Sequence, residues 1–222
     1  MKVLHSGETF EHVYLNEPSV NLHIVQEAGS HVKIHILNVQ SEGPTPDPSQ
    51  EGREKCVNNI TVEQQGEGCT TEIYALAQLQ GNEQVSTETH VTHAVGGGTS
   101  NQLIKFVLGG ESKGRFAGEL KIAQDAQQVE AHQTNRNILL SEHAEMRTQP
   151  QLEIYADDVK ATHGASTGQL DESALFYMQQ RGIDKQKARQ LLVGAFIKDV
   201  LETIGDDELR ERLLNAVDGV IE

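Results

Sequence analysis

PQLEIYADDVKATHGASTGQLDESALFYMQQRGI, from Pro150 to Ile183, is the stretch in which the hydrophobic pattern of this sequence changes its period. Before His163 the apolar residues fall at every second position, as in a β-strand with alternating faces. After Asp171 they recur at the spacing of an α-helix. Gly164 and Gly168 stand between the two patterns, where a chain leaving a sheet often needs the positive φ that glycine adopts easily. The stretch therefore predicts a β structure that ends near His163 and a helical structure that follows it.

Upstream of this stretch, short segments with alternating apolar residues follow one another from residue 20 to residue 159. Glycine-containing turns separate them, and no helical pattern lies between them. Such a series excludes a doubly wound α/β fold, which alternates strands with helices, so the sequence predicts an all-β body. The clearest segments are Val20/Leu22/Ile24, Val32/Ile34/Ile36, Ile60/Val62, Val85/Thr87/Thr89/Val91, Phe116/Leu120/Ile122 and Leu152/Ile154.

The composition indicates a thin core. Of the 222 residues, 36% are apolar and 4% aromatic, with no tryptophan, whereas globular domains usually carry about 45–50% apolar residues. Small and polar residues also occupy many strand positions. Among a sandwich, a barrel and a β-solenoid, these features favour the solenoid, in which each coil contacts only its neighbours. The repeat is irregular, so periodicity alone does not decide the matter.

Residues 41–56 (SEGPTPDPSQEGREKC) interrupt the strand series. They combine proline, glycine, serine and charged residues, and this composition supplies neither a strand nor a core. We expect an exposed loop here, after which the strands resume. At the start of the chain, Met1 to Glu17 show only a weak pattern.

Charge, cysteines and hydropathy exclude several classes of protein. The net charge of −15 argues against binding to a phosphate backbone, which lysine and arginine drive, so no nucleic-acid partner is expected. The two cysteines, Cys56 and Cys69, form no CxxC pair. With no secretory signal and no membrane-spanning run in the sequence, we expect free thiols in the cytoplasm. Nor does the sequence hold the four closely spaced ligands of a zinc or cluster site.

The sequence after residue 170 predicts three helices, each preceded by an aspartate that can cap it. Asp171 precedes the first, Asp184 the second and Asp206 the third, and Arg181-Gly182 is typical of the end of the first. The second helix is apolar over roughly half of its circumference, more than the ~100° of an ordinary surface helix, so we expect it to contact both the body and a partner. Its apolar stripe comprises Ala188, Leu191, Leu192, Ala195 and Val200, widened by Val193, Phe196, Ile197 and Ile204.

The histidines and aspartates that suggest metal binding or acid–base catalysis are more simply interpreted as structural or surface residues. His31 and His35 resemble a cupin metal motif in their spacing, but the other ligands of such a site lack convincing positions. His90 and His93 are three residues apart, so in a strand they face opposite sides. The adjacent carboxylates of Asp157-Asp158 would also diverge in a strand, which argues against joint acid–base catalysis.

Three segments carry a resemblance to a known family. They are QTNRNILL (Gln133 to Leu140), QPQLEIYADDVKATHGASTGQLDE (Gln149 to Glu172) and FYMQQRGI (Phe176 to Ile183). They resemble the C-terminal part of the SufD-type members of the SufB/SufD family, which are scaffold subunits of the SUF system for iron–sulfur cluster assembly. The similarity extends from about Val20 to the C-terminus. It implies a right-handed parallel β-helix over residues 1–165 and a C-terminal helical domain over residues 166–222.

The resemblance also implies a function, that of a non-catalytic scaffold that pairs with a SufB-like subunit. His163 matches a histidine at the interface with SufB that is implicated in building the cluster. The cluster would be transient and shared with the partner, and the isolated chain would bind no cofactor. By position alone, a histidine beside a glycine is more often a turn residue than a ligand. Ala161 stands where many relatives have cysteine, which leaves His163 as the donor. The implied interface comprises Leu152, Ile154, Ala156, Val159, Ala161 and His163.

A second implied partner is the ATPase SufC, which would dock on the helices. The sequence has no Walker A motif, so a partner would supply any ATP hydrolysis. Family members also carry a longer N-terminal region with a helical part, for which this sequence has no counterpart. The implied docking residues are Phe176, Tyr177, Gly182, Ile183, Ala188, Leu192 and Phe196.

The sequence also predicts self-association, and two other functions remain as alternatives. Without SufB, the strands around Leu152 to Thr162 are expected to pair with those of a second copy, because an unpaired strand edge is a template and a twofold contact is self-complementary. A homodimer would result. The alternatives are a β-helix or cupin-like enzyme that uses histidine and aspartate, and a purely structural solenoid that self-associates.

Overall fold

The structure of the chain is a computed structural model that describes residues 1–39 and 56–218, with side chains as far as residue 215. The loop predicted at 41–56 lies outside these residues except for Cys56. The described strands are β1 (Lys2–Leu4), β2 (Thr9–Leu15), β3 (Ser19–Gln26), β4 (His31–Asn38), β5 (Cys56–Gln64), β6 (Thr70–Leu79), β7 (Gln84–His93), β8 (Thr99–Leu108), β9 (Lys113–Ile122), β10 (Val129–Leu139), β11 (Glu145–Ile154) and β12 (Val159–Gly168). The helices are α1 (Glu172–Gln180), α2 (Lys185–Leu201) and α3 (Asp207–Asp218).

The strands form two parallel six-stranded sheets, and successive strands alternate between them. The first sheet has the order β1-β3-β5-β7-β9-β11 and the second has the order β12-β10-β8-β6-β4-β2. Each coil of the chain therefore adds one strand to each sheet, which is the arrangement of a parallel β-helix. The predicted mainly β solenoid followed by helices is confirmed. The weakly patterned N-terminal segment also belongs to it, since β1 and β2 form the first coil.

The coils differ in length. Lys2 pairs with Ile24 in the first sheet, whereas Ser19 pairs with Val57, which is much further along the chain. The later coils are more regular, as in the pairings of Gln84 with Lys113 and of Glu130 with Lys160. This variation explains why the repeat is hard to detect in the sequence, although the strands stack in register.

The lumen between the sheets contains the main core. Inward side chains of both sheets meet there, including the fully buried Phe106, Phe116 and Ile34. Many of the lumen residues are polar, among them Gln64, Gln102 and others with no exposed surface. The low apolar content of the sequence thus reflects a narrow lumen that is filled partly by polar side chains, as the composition predicted.

Two glycines occupy the same turn in successive coils. Gly81 has φ 57° and Gly110 has φ 62°, a conformation that residues with a Cβ avoid. A Cβ on Gly110 would also lie 2.7 Å from the backbone nitrogen of Gly81, whereas one on Gly81 would meet nothing within 4 Å. The stacked turns therefore require glycine at 110 for its close approach as well as for its φ.

A second apolar cluster joins the helices to the outer face of the second sheet. Leu37, Leu76 and Val107 of the sheet pack with side chains of the helical segment, and all three are fully buried or nearly so. The helical part is thus packed along the solenoid. The residues contributed by the helical segment are Val193, Ile197, Val200, Leu201, Ile204 and Leu213.

The three predicted helix caps are present. The Asp171 carboxylate accepts from the backbone N–H of Ser173 at 2.8 Å, Asp184 caps α2 and Asp206 caps α3. Gly182 follows α1 with φ 85°. The buried face of α2 agrees with the predicted stripe only in part. Leu191 and Ala195 of that stripe are exposed, whereas its Ala188 and Val200 and the widening residues Val193 and Ile197 are buried, together with Leu201.

The end of the β region also differs from the prediction. Strand β12 continues through His163 and Gly164 to Gly168, so the strand ends later than the sequence pattern indicates, whereas α1 begins at Glu172, directly after the predicted Asp171 cap. Neither glycine has a positive φ, because both have the extended backbone of a strand. Asp157-Asp158 were expected in a strand and instead lie in the exposed connection between β11 and β12.

Candidate functional site

The solenoid ends in two unpaired strand edges, β11 in the first sheet and β12 in the second. Each of these strands pairs on one side only, with β9 and β10 respectively. Their outer N–H and C=O groups are therefore free to pair with another chain. Pro150 lies within β11, consistent with an edge position, because proline cannot donate a ladder hydrogen bond. We call β11, β12 and the lumen-facing residues that they carry the β11–β12 end.

His163 lies in the middle of β12, on its lumen-facing side. In the parallel register it is the partner of Gln133 in β10, and Gln133 is the partner of Gln102 in β8. Gln102 and Gln133 are buried in the lumen, whereas His163 is exposed because no further coil covers it. The imidazole makes no hydrogen bond or ion pair within the described ranges. It is therefore available to a partner or a metal ion.

The other predicted interface residues lie on β11, on β12 and in the connection between these strands. Val159 and Ala161 on β12 and Leu152 on β11 are half-buried and pack on the lumen core. Ile154 is 41% exposed, and Ala156 is buried in the connection between the two strands. The tertiary structure thus brings both strands of the predicted interface to the end of the solenoid that carries the exposed imidazole.

The predicted docking residues on the helices fall into two groups. Phe176 and Tyr177 on α1 are 63% and 60% exposed, and the Arg181 guanidinium lies over the Tyr177 ring at 5.2 Å. Gly182 is also exposed, while Ile183, Leu192 and Phe196 are half-buried. Ala188 is fully buried, so it contributes to packing within the chain and offers no surface to a partner.

A short connection, Gln169 to Asp171, joins β12 to α1. Beside it is a cavity of about 190 Å³ between the solenoid and the helices. Arg189 of α2 lines this cavity and donates a hydrogen bond to the Leu140 carbonyl at 3.1 Å. The β11–β12 end and the exposed face of α1 are therefore joined by a short segment.

Sequence reasoning missed Lys105, which fixes α2 to the second sheet. Its side chain points outward from β8 beneath the helix and is almost fully buried. The ammonium bonds the Phe196 carbonyl, lies 2.5 Å from the Asp199 carboxylate and sits over the Phe196 ring at 4.4 Å. Burial lowers the lysine pKa, and the Asp199 carboxylate opposes that shift. The signal in the sequence is a lysine within the apolar second half of the strand, Leu103 to Leu108.

The histidine pairs considered in the sequence do not form metal sites. His31 and His35 share the outer face of β4, but His31 bonds Glu72 and the buried His35 bonds Thr203 at 2.8 Å. His90 is exposed and His93 is buried in the lumen, as expected for residues that face opposite sides. Within residues 1–39 and 56–218, no group of three or more histidine, cysteine, aspartate or glutamate side chains is placed to hold a metal.

Both cysteines are free thiols. Cys69 is fully buried, and burial raises the pKa of the half-buried Cys56 thiol. A raised pKa keeps that sulfur protonated, which makes it a poor nucleophile and a poor ligand. Among the described helices, none is long and apolar enough to cross a membrane.

A family model described as "SUF system FeS cluster assembly, SufBD core domain" matches residues 49–196. Curated proteins also match. The iron-sulfur cluster assembly protein SufD of Escherichia coli (strain K12) is 38% identical over 157 residues, which cover 71% of this chain and 37% of that protein. A SufBD family protein of Synechocystis is 36% identical over 213 residues, covering 92% of this chain and 46% of that protein. The chloroplastic protein ABCI7 of Arabidopsis thaliana is 30% identical over 222 residues, covering 99% of this chain and 45% of that protein. The chain thus spans less than half the length of these relatives.

Proposed function

The chain belongs to the SufBD family of SUF-system iron–sulfur cluster assembly proteins, and on this premise we propose that it is a non-catalytic scaffold. In this proposal the β11–β12 end pairs with a SufB-type subunit, and the exposed faces of α1 and α2 dock a SufC-type ATPase. The observation that carries the proposal is the position of His163. It is an exposed imidazole at the centre of a solenoid end whose two strand edges are unpaired.

The geometry of the β11–β12 end suits a partner that presents matching strands. Both sheets end there with free backbone groups, so a second solenoid can continue both ladders at once. The half-buried Leu152, Val159 and Ala161 provide apolar surface beside those edges. Pairing would cover them and enclose His163 between the two subunits.

The ligand chemistry of the end also supports a shared site. An iron–sulfur cluster is usually held by four ligands, mostly thiolates, with imidazole an accepted substitute. The described residues offer His163 without a cysteine or a metal-binding cluster beside it. A cluster built at this position would therefore take its remaining ligands from the partner, and the cluster is cargo of the assembled complex.

The second surface is the exposed face of α1 with the adjoining part of α2. Phe176 and Tyr177 are large apolar side chains left in solvent, the kind of anchor residue that protein interfaces favour. Leu192 is half-exposed on α2 and lies outside the cluster that packs on the sheet. The short connection from Gln169 to Asp171 would pass movement of the docked ATPase to the β11–β12 end.

Co-purification tests this function. The tagged chain is co-expressed with the SufB- and SufC-type proteins of the same organism, and a complex of all three is expected on the affinity resin. The control is the tagged chain with each partner alone, which separates the two surfaces. Absence of both partners from the purified chain would reject the scaffold role and would favour a solenoid that associates only with itself.

A further inference from the structure

The floor of the β11–β12 end contains an unused hydrogen-bond acceptor. Gln133 lies one coil below His163, on the same lumen-facing row and in direct register with it. The Gln133 side chain is 1% exposed, and its Oε1 atom is buried without a hydrogen-bond partner in the described structure. A buried amide oxygen that is left unpaired costs free energy, so the presence of a glutamine at this lumen position calls for an explanation.

The nitrogen of the same amide, in contrast, has a partner in the preceding coil. It approaches Oε1 of Gln102 at 3.5 Å. On the facing sheet, Gly118 leaves the space that the amide occupies, because a Cβ there would clash with the Gln133 nitrogen. Because the nitrogen is bonded to the preceding coil, the oxygen is the amide atom that can accept a hydrogen bond from the coil that carries His163.

Strands that pair in a sheet lie about 4.8 Å apart, and register partners project side by side. An exposed imidazole can reach the neighbouring amide by rotation about its own side-chain bonds. The Nδ1 atom is the ring nitrogen nearer the backbone, and Nε2 is the one nearer the tip. A hydrogen bond from Nδ1–H would thus direct Nε2 away from the lumen floor.

We propose that Gln133 is a positioning residue for His163, accepting a hydrogen bond from its Nδ1–H. This leaves Nε2 unprotonated at the β11–β12 end, ready to bind a metal ion. The inference rests on the proposed role of His163 as a ligand. Its physical basis is general, since a histidine that binds metal through one nitrogen usually donates the other N–H to a carbonyl or carboxylate, which fixes the tautomer.

The tautomer of His163 tests the proposal in the isolated chain, without partner or cluster. Long-range ¹H–¹⁵N correlation spectra at pH 8 distinguish the Nδ1–H and Nε2–H forms, and a His163→Asn variant identifies the signal of His163. We expect the Nδ1–H form to predominate in the unaltered chain. Gln133→Met, which keeps the volume and removes the acceptor, should shift the ratio toward Nε2–H by about fivefold, as loss of one ordinary hydrogen bond does.

A matched control separates positioning from structure. Gln64 is also a fully buried lumen glutamine whose Oε1 has no partner in the described structure, and its nitrogen donates to Thr71 at 2.8 Å and to the Thr99 carbonyl at 2.9 Å, but it lies on β5, far from β12. Gln64→Met should reduce stability and leave the tautomer of His163 unchanged. If Gln133→Met does not fold, Gln133→Asn withdraws the oxygen by one methylene and should give the same shift.

Two results would overturn the proposal. One is a predominant Nε2–H form in the unaltered chain, and the other is an unchanged tautomer ratio in the Gln133 variants. Either result would leave the scaffold function intact, because that function is judged by co-purification and by cluster formation in the complex. Conversely, a normal tautomer shift in a chain that binds neither partner would reject the scaffold function alone.

Discussion

Lys105 in β8 and Asp199 in α2 lie 2.5 Å apart, and the lysine side chain is 3% exposed while the aspartate side chain is 48% exposed. The pair joins the solenoid to the helical part across the second apolar cluster. Because the two charges differ so much in their access to water, removing the lysine and removing the aspartate should change the stability of the chain by different amounts. The buried cation depends on its partner far more than the carboxylate does.

Replacing Asp199 should therefore destabilise the chain more than replacing Lys105. Asp199→Ala leaves the buried ammonium with only the Phe196 carbonyl and ring, and we expect a loss of about 2 kcal/mol, typical for a hydrogen bond to a charged group. Lys105→Met removes the buried charge and lets water solvate Asp199, at a cost below about 1 kcal/mol. Urea unfolding of both variants measures the difference, and the opposite order would show that the pair is not the main attachment.

Acid should destabilise the fold through two buried histidines. Burial lowers the pKa of His35 and that of His93 to about 4, whereas an unfolded histidine has a pKa of about 6.5. Between these pH values the two histidines are protonated in the unfolded chain and neutral in the folded chain. The free energy of unfolding therefore falls as pH drops from about 6.5 to about 4. The limiting slope is about 1.4 kcal/mol per pH unit for each histidine.

Variants assign this pH dependence to the two residues. His35 lies beneath the helical segment and stacks on Tyr74 at a centroid distance of 5.1 Å, while His93 lies in the lumen. His35→Gln and His93→Gln should each flatten the stability profile across this acid range, measured by urea unfolding at several pH values. The exposed His90 provides the control, and a His90→Gln profile that flattens equally would contradict the assignment.

The stacked turns give a test of coil packing. Gly110→Ala combines a positive φ with a close approach to the Gly81 backbone, so we expect a loss above about 2 kcal/mol. Gly81→Ala has a similar φ and open space around its Cβ, so it should lose only the ~1 kcal/mol of the backbone conformation. Thermal unfolding compares the two variants. Equal losses would mean that the turns move apart without cost.

Self-association of the isolated chain should use the β11–β12 end. We expect a dimer at micromolar concentration in sedimentation velocity, because both edges of that end are unpaired. Ala165→Lys places a charge on the exposed lumen-facing row of β12 and should give a monomer. Val3→Lys, on the edge strand at the opposite end, is the control and should remain dimeric. A monomeric unaltered chain would reject self-association, and a monomer only in the control would place the contact at the opposite end.

His163→Ala should separate folding from cluster assembly. The side chain is exposed, so unfolding free energy should change by less than ~0.5 kcal/mol and SufC binding should persist. Under the proposed function, cluster formation in the assembled complex should fall at least about tenfold, because the proposed ligand is lost. The rate of appearance of cluster absorbance measures this effect, and a normal rate would reject the ligand role.

Leu192→Asp should weaken binding of the SufC-type ATPase without unfolding the chain. A carboxylate on the half-exposed part of α2 would be buried by a docked ATPase, at a cost of about 2 kcal/mol or roughly thirtyfold in affinity, while the solenoid stays intact. Gln186→Asp adds the same charge at an exposed position of α2 and serves as the control. Calorimetric titration with the SufC-type protein gives both affinities; normal binding by Leu192→Asp would place the docking surface elsewhere.

Features that depend on near neighbours could be read from the amino-acid sequence without a structure. Strand alternation follows from the period of two, so the outward His90 and the inward His93 could be assigned to opposite faces. The caps at Asp171, Asp184 and Asp206 involve residues two or three positions away, which is why their prediction is confirmed. The solenoid itself needed the family resemblance, because coils of unequal length conceal the repeat.

The contacts across coils and the buried face of each helix came from the folded molecule. The wide apolar stripe of α2 contained all of Val193, Ile197, Leu191 and Ala195, and the burial of the first two rather than the last two depends on the shape and charge of the sheet beneath, including the buried Lys105. The extension of β12 through Gly164 depends on pairing with β10, since a ladder can hold glycine in an extended conformation that local sequence does not favour. The same pairing placed His163 above Gln133, a full coil away in the chain, and register over such a distance is set by the stacking of whole coils.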